Sequence, residues 1–95
     1  MRVLVIIVTY NGMQWIDKCL SSVFNSDLSL EVVVIDNKST DGTVNFIKEK
    51  YPRVYVIDQG ENMGFGKANN IGIKYALNQK ADYVYLLNQD AYLQK

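Results

Sequence analysis

The chain has no histidine, one cysteine and one proline. Without histidine, neither a serine–histidine–acid triad nor a histidine-ligated zinc site can be assembled within it. Cys19 lies among apolar residues at helical spacing, which reads as a buried, inert thiol and not as a nucleophile or a metal ligand. Ten lysines and arginines against ten acidic residues leave a formal net charge of zero. Neither sign clusters beyond Lys48, Glu49 and Lys50, so the basic face or stripe that nucleic acid requires is missing and no nucleic acid partner is expected. Long apolar runs are also missing. The stretch from Val3 to Val8 is far too short to cross a bilayer and lacks the small-residue cleavage site of a signal peptide. The expected location is cytoplasmic, reaching at most a peripheral position on the inner membrane face. There are no repeats, linkers or low-complexity segments.

What is present is an ordinary globular composition, 48% hydrophobic and 21% charged, in line with a folded domain. A chain of 95 residues is one domain at most, and it buries roughly 60–65% of its unfolded surface. Residues 2–9 (RVLVIIVT) read as strand one, closed by Tyr10, Asn11 and Gly12. Between Met13 and Phe24, Trp15, Ile16, Cys19, Leu20, Val23 and Phe24 recur on one face of helix one. Residues 30–36 (LEVVVID) are strand two. Ser39, Thr40 and Asp41 are helix-start residues, and Val44, Ile47 and Tyr51 form the stripe of helix two, which Pro52 ends. Residues 53–57 are strand three. Helix three covers Gly66 to Asn78, with Ala68, Ile71, Gly72, Tyr75 and Ala76 facing inward. Residues 82–90 (DYVYLLNQD) are strand four, an apolar run that reads as buried on both faces, as in a parallel sheet.

Every connection between strands holds a helix, so the strands are expected to be parallel with right-handed crossovers. The fold class is α/β, a three-layer sandwich around a mostly parallel sheet. The strand order 3-2-1-4 puts the reversal between strands one and four, so Tyr10 and Asn11 face Asn88 and Asp90 across a crevice at the carboxyl ends of the strands. Asp36 is one strand away. In this order helices one and two cover one face, helix three the other, and strand four is left as an apolar edge, which normally pairs with something. Self-association through that edge, or a longer protein that covers it, is expected.

Three polar stretches are candidates for chemistry. Ser39 to Thr43 is explained by helix capping alone, whereas Asp36 ends a wholly apolar strand at the mouth of the sheet, where it can accept hydrogen bonds from a heterocycle N–H. Two look-alikes in this stretch fail on spacing. Read as a calcium loop with Gly42 in the sixth position, it puts Lys48 where a bidentate glutamate is needed. Read as the DGT signature of aspartate-nucleophile phosphatases, Asp41 has Ser39 where a second aspartate is required. In the second stretch, Gly64 and Gly66 resemble a dinucleotide turn, but Asn69 stands where the third small residue belongs and the stretch follows the wrong strand. A tight turn, or backbone N–H groups at the start of helix three that approach a phosphate with Lys67, accounts for it. In the third, Asn88, Gln89 and Asp90 end strand four. Mg²⁺ commonly uses only one or two protein carboxylates and completes its shell with water and phosphate oxygens, so Asp90 suffices as a metal ligand. Tyr10, at the end of strand one, can stack on a base.

These stretches, V8-T-Y-N11, V34-I-D-N-K-S-T-D-G-T43, E61-N-M-G-F-G-K-A-N-N-I-G-I73 and L86-L-N-Q-D90, resemble in order and spacing the N-terminal half of family 2 glycosyltransferases with the GT-A fold. The F-G-x-A-N-N form is similar to a bacterial subgroup often labelled rhamnosyltransferase-like, which points to polysaccharide biosynthesis. The resemblance implies that residues 1–95 are a single donor domain, the Rossmann-like half of a GT-A fold and a fragment of a longer enzyme. It implies a nucleoside diphosphate sugar as ligand and Mn²⁺ or Mg²⁺ as cofactor. By motif, Tyr10 packs on the base beside Asn11, Asp36 accepts from the base N–H, Asn69 stands where many members have an arginine near the donor, and Asn88 and Asp90 replace the DxD pair, with Asp90 the metal ligand. A single carboxylate implies weak metal affinity without nucleotide. Inverting transfer to the hydroxyl of a glycan or lipid-linked acceptor would use a base from the other half; no residue here matches it, so no catalytic residue is assigned.

Two alternatives of another class are a non-catalytic nucleotide-binding module and a signalling domain of the response-regulator kind. The latter needs an acidic pair after strand one, where Thr9, Tyr10 and Asn11 stand, and only Asp58 would serve as its phosphoacceptor. A nicotinamide-dependent oxidoreductase fails for want of the glycine turn after strand one.

Overall fold

A computed structural model describes residues 2–26 and 29–91. The elements are β1 (Val3–Thr9), α1 (Ile16–Phe24), β2 (Leu30–Asp36), α2 (Thr43–Lys50), β3 (Tyr55–Asp58), α3 (Phe65–Asn78) and β4 (Tyr83–Asn88). The strands form one parallel sheet in the order β3-β2-β1-β4, as expected from the alternation of strands and helices.

Side chains alternate across a strand, so each central strand supplies two cores. Val5 and Ile7 of β1, with Val32 and Val34 of β2, pack on Ile16, Cys19, Leu20 and Val23 of α1 and on Ile47 of α2. Leu4, Ile6, Val8, Val33 and Ile35 point the other way, onto Ala68 and Ala76 of α3. Ala68, Gly72 and Ala76 recur every fourth residue and are all buried, so α3 lays a stripe of small residues on the sheet and comes close to it. The result is three layers, with α1 and α2 on one face and α3 on the other.

Several expected boundaries move. Helix one was read from Met13 and begins at Ile16, because Gly12 O accepts from both Trp15 N and Ile16 N in a turn. Trp15, read as part of the buried face, is therefore exposed (39%). Strand three was read over 53–57 and spans Tyr55–Asp58, since Val54 N closes a turn on Tyr51 O. Helix three starts one residue earlier than expected, at Phe65.

The largest correction concerns β4. It was read as buried on both faces, yet Leu87 is its one buried residue, while Tyr83, Val84, Tyr85 and Leu86 are 40–62% exposed. Among the described residues, β4 pairs with β1 alone. A continuous apolar run does not distinguish a strand flanked on both sides from one at an edge.

At the amino-terminal rim of the sheet, Arg2 ties three segments together. Its guanidinium pairs with Glu31 of β2 at 2.8 Å and donates to Gln79 O, and its backbone N–H donates to Asp82 Oδ2 at 2.7 Å. No described helix is long and apolar enough to cross a membrane.

Candidate functional site

The carboxyl ends of the strands carry two loops that are stitched together by side chains. Asn11 N donates to Ser39 Oγ (2.8 Å), Gly12 N to Thr43 Oγ1 (3.1 Å) and Met13 N to Asp41 Oδ2 (3.1 Å). In return, Thr40 N donates to Asn11 Oδ1 at 2.7 Å. The β2–α2 loop thus satisfies the N–H groups that precede α1, a task that the helix itself cannot perform. Asn11 is held at φ 48°, in the left-handed region that asparagine tolerates better than most residues. Burial would push the Asp41 carboxyl up, but the bonds from the Thr43 hydroxyl and from the Met13 and Thr43 N–H groups outweigh it and hold the carboxyl below its ordinary range.

Asp36 anchors this assembly. It is 1% exposed and accepts from Thr9 Oγ1 (2.7 Å), Ser39 N (2.8 Å) and Ser39 Oγ (2.5 Å). An ionised carboxylate offers about four acceptor sites, so roughly one is left for anything else.

Beside this stitching, an open crevice of about 530 Å³ lies between the ends of β1 and β4 and the start of α3. It occupies the point where the chain changes sides, α1 leaving β1 on one face and α3 entering β4 from the other, which is where ligands bind in open α/β sheets. Three rings line it, Tyr10, Trp15 and Phe65, with the polar groups of Asn37, Asn88 and Asp90 among them. All three rings are well exposed, at 49%, 39% and 58%. Exposed aromatics in a concavity are unusual on a soluble surface and offer flat platforms for a ring-shaped ligand.

Asn37 is buried and shapes the third wall. Its Nδ2 donates to Gly64 O and its Oδ1 accepts from Met63 N, both at 3.3 Å. These bonds pin the turn before α3, in which Gly64 takes φ 83°. Gly66 lies inside α3, so of the two glycines only Gly64 serves the turn. Under the β4 wall, Cys19 Sγ is 3.7 Å from Asn88 O. Burial, reinforced by the Asp90 carboxylate, pushes its thiol up to about 11, which suits the inert role expected of it.

Of the residues singled out from the sequence, Tyr10, Asn88 and Asp90 line the crevice together. Asn11 and Asp36 sit in the adjoining stitched loops, and Asn69 lies on α3; none of these three is among the lining residues, and neither is Lys67. Sequence reading missed Trp15, Asn37 and Phe65. Trp15 was absorbed into a helix stripe, and Phe65 preceded the assigned helix start. Asn37 gave a usable signal, an amide directly after a strand-ending aspartate. Gln89 carries no sequence signal of a role, yet its side chain meets the backbone of Tyr10.

A divalent cation fits the donor set in a limited way. Asp90 contributes an exposed carboxylate and Asn88 an amide oxygen, both hard oxygen donors suited to Mg²⁺ or Mn²⁺. Among the described residues there is no group of three acidic, histidine or cysteine side chains that could form a closed cage. The set therefore suits a cation whose remaining ligands come from a bound phosphate and water.

Comparison with known proteins places this geometry. The family model "Glycosyl transferase family 2" matches residues 4–95. A poly(ribitol-phosphate) beta-glucosyltransferase of Bacillus spizizenii is 32% identical over 100 residues, covering 98% of this chain and 15% of that protein. Among solved structures, S. aureus TarS 1-349 in complex with UDP-GlcNAc superposes with a TM-score of 0.82 at 32% identity, over 100% of this chain and 28% of that one. The mannosyltransferase PcManGT from Pyrobaculum calidifontis, in complex with GDP-Man and Mn²⁺, superposes with a TM-score of 0.85 at 31% identity, over 99% of this chain and 29% of that one. The sheet order 3-2-1-4 is that of the Rossmann-like GT-A fold, and the chain spans 15% to 29% of the length of these relatives. It belongs to glycosyl transferase family 2.

Proposed function

We propose that this chain is the donor-binding part of an inverting glycosyltransferase, holding a nucleoside diphosphate sugar in the crevice between β1 and β4. The observation that carries the reading is the meeting, at the switch point of the sheet, of an exposed aromatic ring (Tyr10), an amide (Asn88) and a lone carboxylate (Asp90). The ring stacks on the base. Asp90, with Asn88, would hold Mn²⁺ or Mg²⁺, which when bound would supply charge neutralisation at the diphosphate. Relatives support the ligand class, since TarS 1-349 was solved with UDP-GlcNAc and PcManGT with GDP-Man and Mn²⁺. A base N–H would reach the remaining acceptor capacity of Asp36, which is buried and outside the crevice lining, only where the stitched loops part, and Asn11 and Asn69 act at the margins, one through the loop it braces and one from α3. The chain's own residues bind and orient the donor, and the base that deprotonates a glycan or lipid-linked acceptor comes from elsewhere.

Thermal shift with a panel of nucleoside diphosphates, with and without Mn²⁺, tests this. A ligand at about 100 times its Kd adds roughly 2.7 kcal/mol, which for a domain of this size raises Tm on the order of 10 °C. One diphosphate should produce such a rise, and Asp90→Ala should abolish its Mn²⁺-dependent part. An unchanged Tm with every nucleotide would sink the donor reading.

A second proposal concerns the edge. Tyr83, Val84, Tyr85 and Leu86 present apolar side chains beside an unpaired backbone rim, a template for strand pairing. The isolated chain should self-associate through β4, visible as a light-scattering mass that rises with concentration. A constant monomer mass at high concentration would argue against it.

A further inference from the structure

The backbone ladder between β1 and β4 ends at the pair Val8 and Asn88. Beyond it the two chains separate to form the crevice, yet one more rung exists. Gln89 Oε1 accepts from Tyr10 N at 3.0 Å and Gln89 Nε2 donates to Tyr10 O at 3.2 Å. A primary amide presents one acceptor and one donor in a plane, the same pair that a peptide group offers a neighbouring strand. The side chain of Gln89 thus replaces the missing backbone rung across the widening gap.

The position is prepared from both sides. Gly12 lies against the same amide: a Cβ there would collide with Gln89 Oε1 and stand 3.1 Å from Cδ. Gly12 is itself fixed by the bond from its N–H to Thr43 Oγ1, so the absence of a side chain leaves room for the glutamine at a point that cannot easily shift. The rung also joins the two halves of the proposed site. Tyr10, whose ring faces the base, is one partner. Asp90, the candidate metal ligand, is the next residue after the other.

We infer that Gln89 is a positioning residue that sets the Tyr10 wall against the Asp90 wall, so that nucleotide and cation are bound as a coupled pair. This inference rests on the donor reading given above. A ligand that orders one wall through the rung lowers the ordering the other wall requires, and such coupling is reciprocal: each ligand raises the affinity of the other by the same factor.

The test uses the whole chain, ¹⁵N-labelled, with UDP and GDP as probes and Mg²⁺ as the cation. The variants are Gln89→Met, which keeps length without hydrogen bonds, and Gly12→Ala, which displaces the amide and leaves Gln89 itself intact. In the parent chain the Tyr10 amide should exchange slowly with solvent, and nucleotide and Mg²⁺ should strengthen each other by roughly 5- to 150-fold, the usual span for coupled sites. Both variants should keep slow exchange in the Leu4 to Val8 amides, which shows an intact sheet, while Tyr10 loses its protection and the coupling factor falls several-fold, to the part that direct contact between phosphate and cation supplies. Loss of stability alone would lower Tm without changing that factor. An unprotected Tyr10 amide in the parent, or full coupling in both variants, overturns the role of Gln89. If the parent binds neither these two nor any other diphosphate of the thermal-shift panel, the donor reading fails first and the coupling proposal falls with it, an outcome distinguishable because Tyr10 protection would still report whether the rung exists.

Discussion

Gly72→Leu should cost the chain more than about 3 kcal/mol of stability, a Tm drop upward of roughly 12 °C. A Cβ at Gly72 would sit 2.5 Å from Ile6 Cγ2 and 2.9 Å from Ile35 Cδ1, and both isoleucines are fully buried. Even alanine must push α3 away from the sheet. Overpacking of this kind costs about 1–3 kcal/mol, against a gain of up to about 1 kcal/mol from better helix propensity. Gly72→Ala should therefore lose on the order of 1 kcal/mol, seen as a Tm drop of roughly 4–8 °C. Leucine adds three further carbons in the same place, so its loss should exceed about 3 kcal/mol, a substantial part of the roughly 5–15 kcal/mol that stabilises a domain. Gly66 provides the control. It lies in the same helix with nothing within 4 Å of a would-be Cβ, so Gly66→Ala should hold or raise Tm. Equal responses at the two glycines would show that close packing of α3 on Ile6 and Ile35 does not limit stability.

Asp36→Ala should be nearly as damaging, for a different reason. It orphans three donors, the Thr9 hydroxyl, the Ser39 hydroxyl and the Ser39 N–H. Each buried donor left without a partner costs about 1–3 kcal/mol. Water can reach the Ser39 groups, since Ser39 is only partly buried, whereas Thr9 is fully enclosed. The expected loss is about 3 kcal/mol or more, measured as a lower denaturation midpoint with an unchanged slope. The damage should spread, because Ser39 Oγ also receives the Asn11 N–H, and the stitched loops set the crevice wall that carries Tyr10. Asp36→Asn keeps one acceptor oxygen and brings an NH₂ group towards the same donors, so it should fall between. A variant that keeps full stability and loses only nucleotide binding would show that Asp36 serves the ligand and not the fold.

That contrast marks where sequence reading stops. The order of elements and the sheet topology were legible because apolar β-branched runs alternate with stripes of helical period, and because helical crossovers leave few ways to connect parallel strands. The crevice was legible in part, since Tyr10, Asn88 and Asp90 lie at or just past the end of a strand, and strand ends in a parallel sheet share one rim. Partners distant in sequence left no local signal. Nothing near Asp36 announces that Thr9, twenty-seven residues earlier, fills one of its acceptor sites. Trp15 fits a helical stripe by spacing alone, and only the turn on Gly12 O shows that the helix has not yet begun. The edge position of β4 was legible from the strand order, but the exposure of its faces was not, because it depends on how far the helices reach over the last strand, which an apolar run does not carry.

The two rims of the sheet hold separate sets of interactions. Arg2 draws Glu31, Gln79 and Asp82 together at one rim, and none of these residues borders the crevice at the other. The central strands between them, β1 and β2, are seven residues long, which separates the rims by roughly 20 Å. A substitution at Arg2 should thus change the durability of the domain and leave the shape of the opposite mouth unaltered.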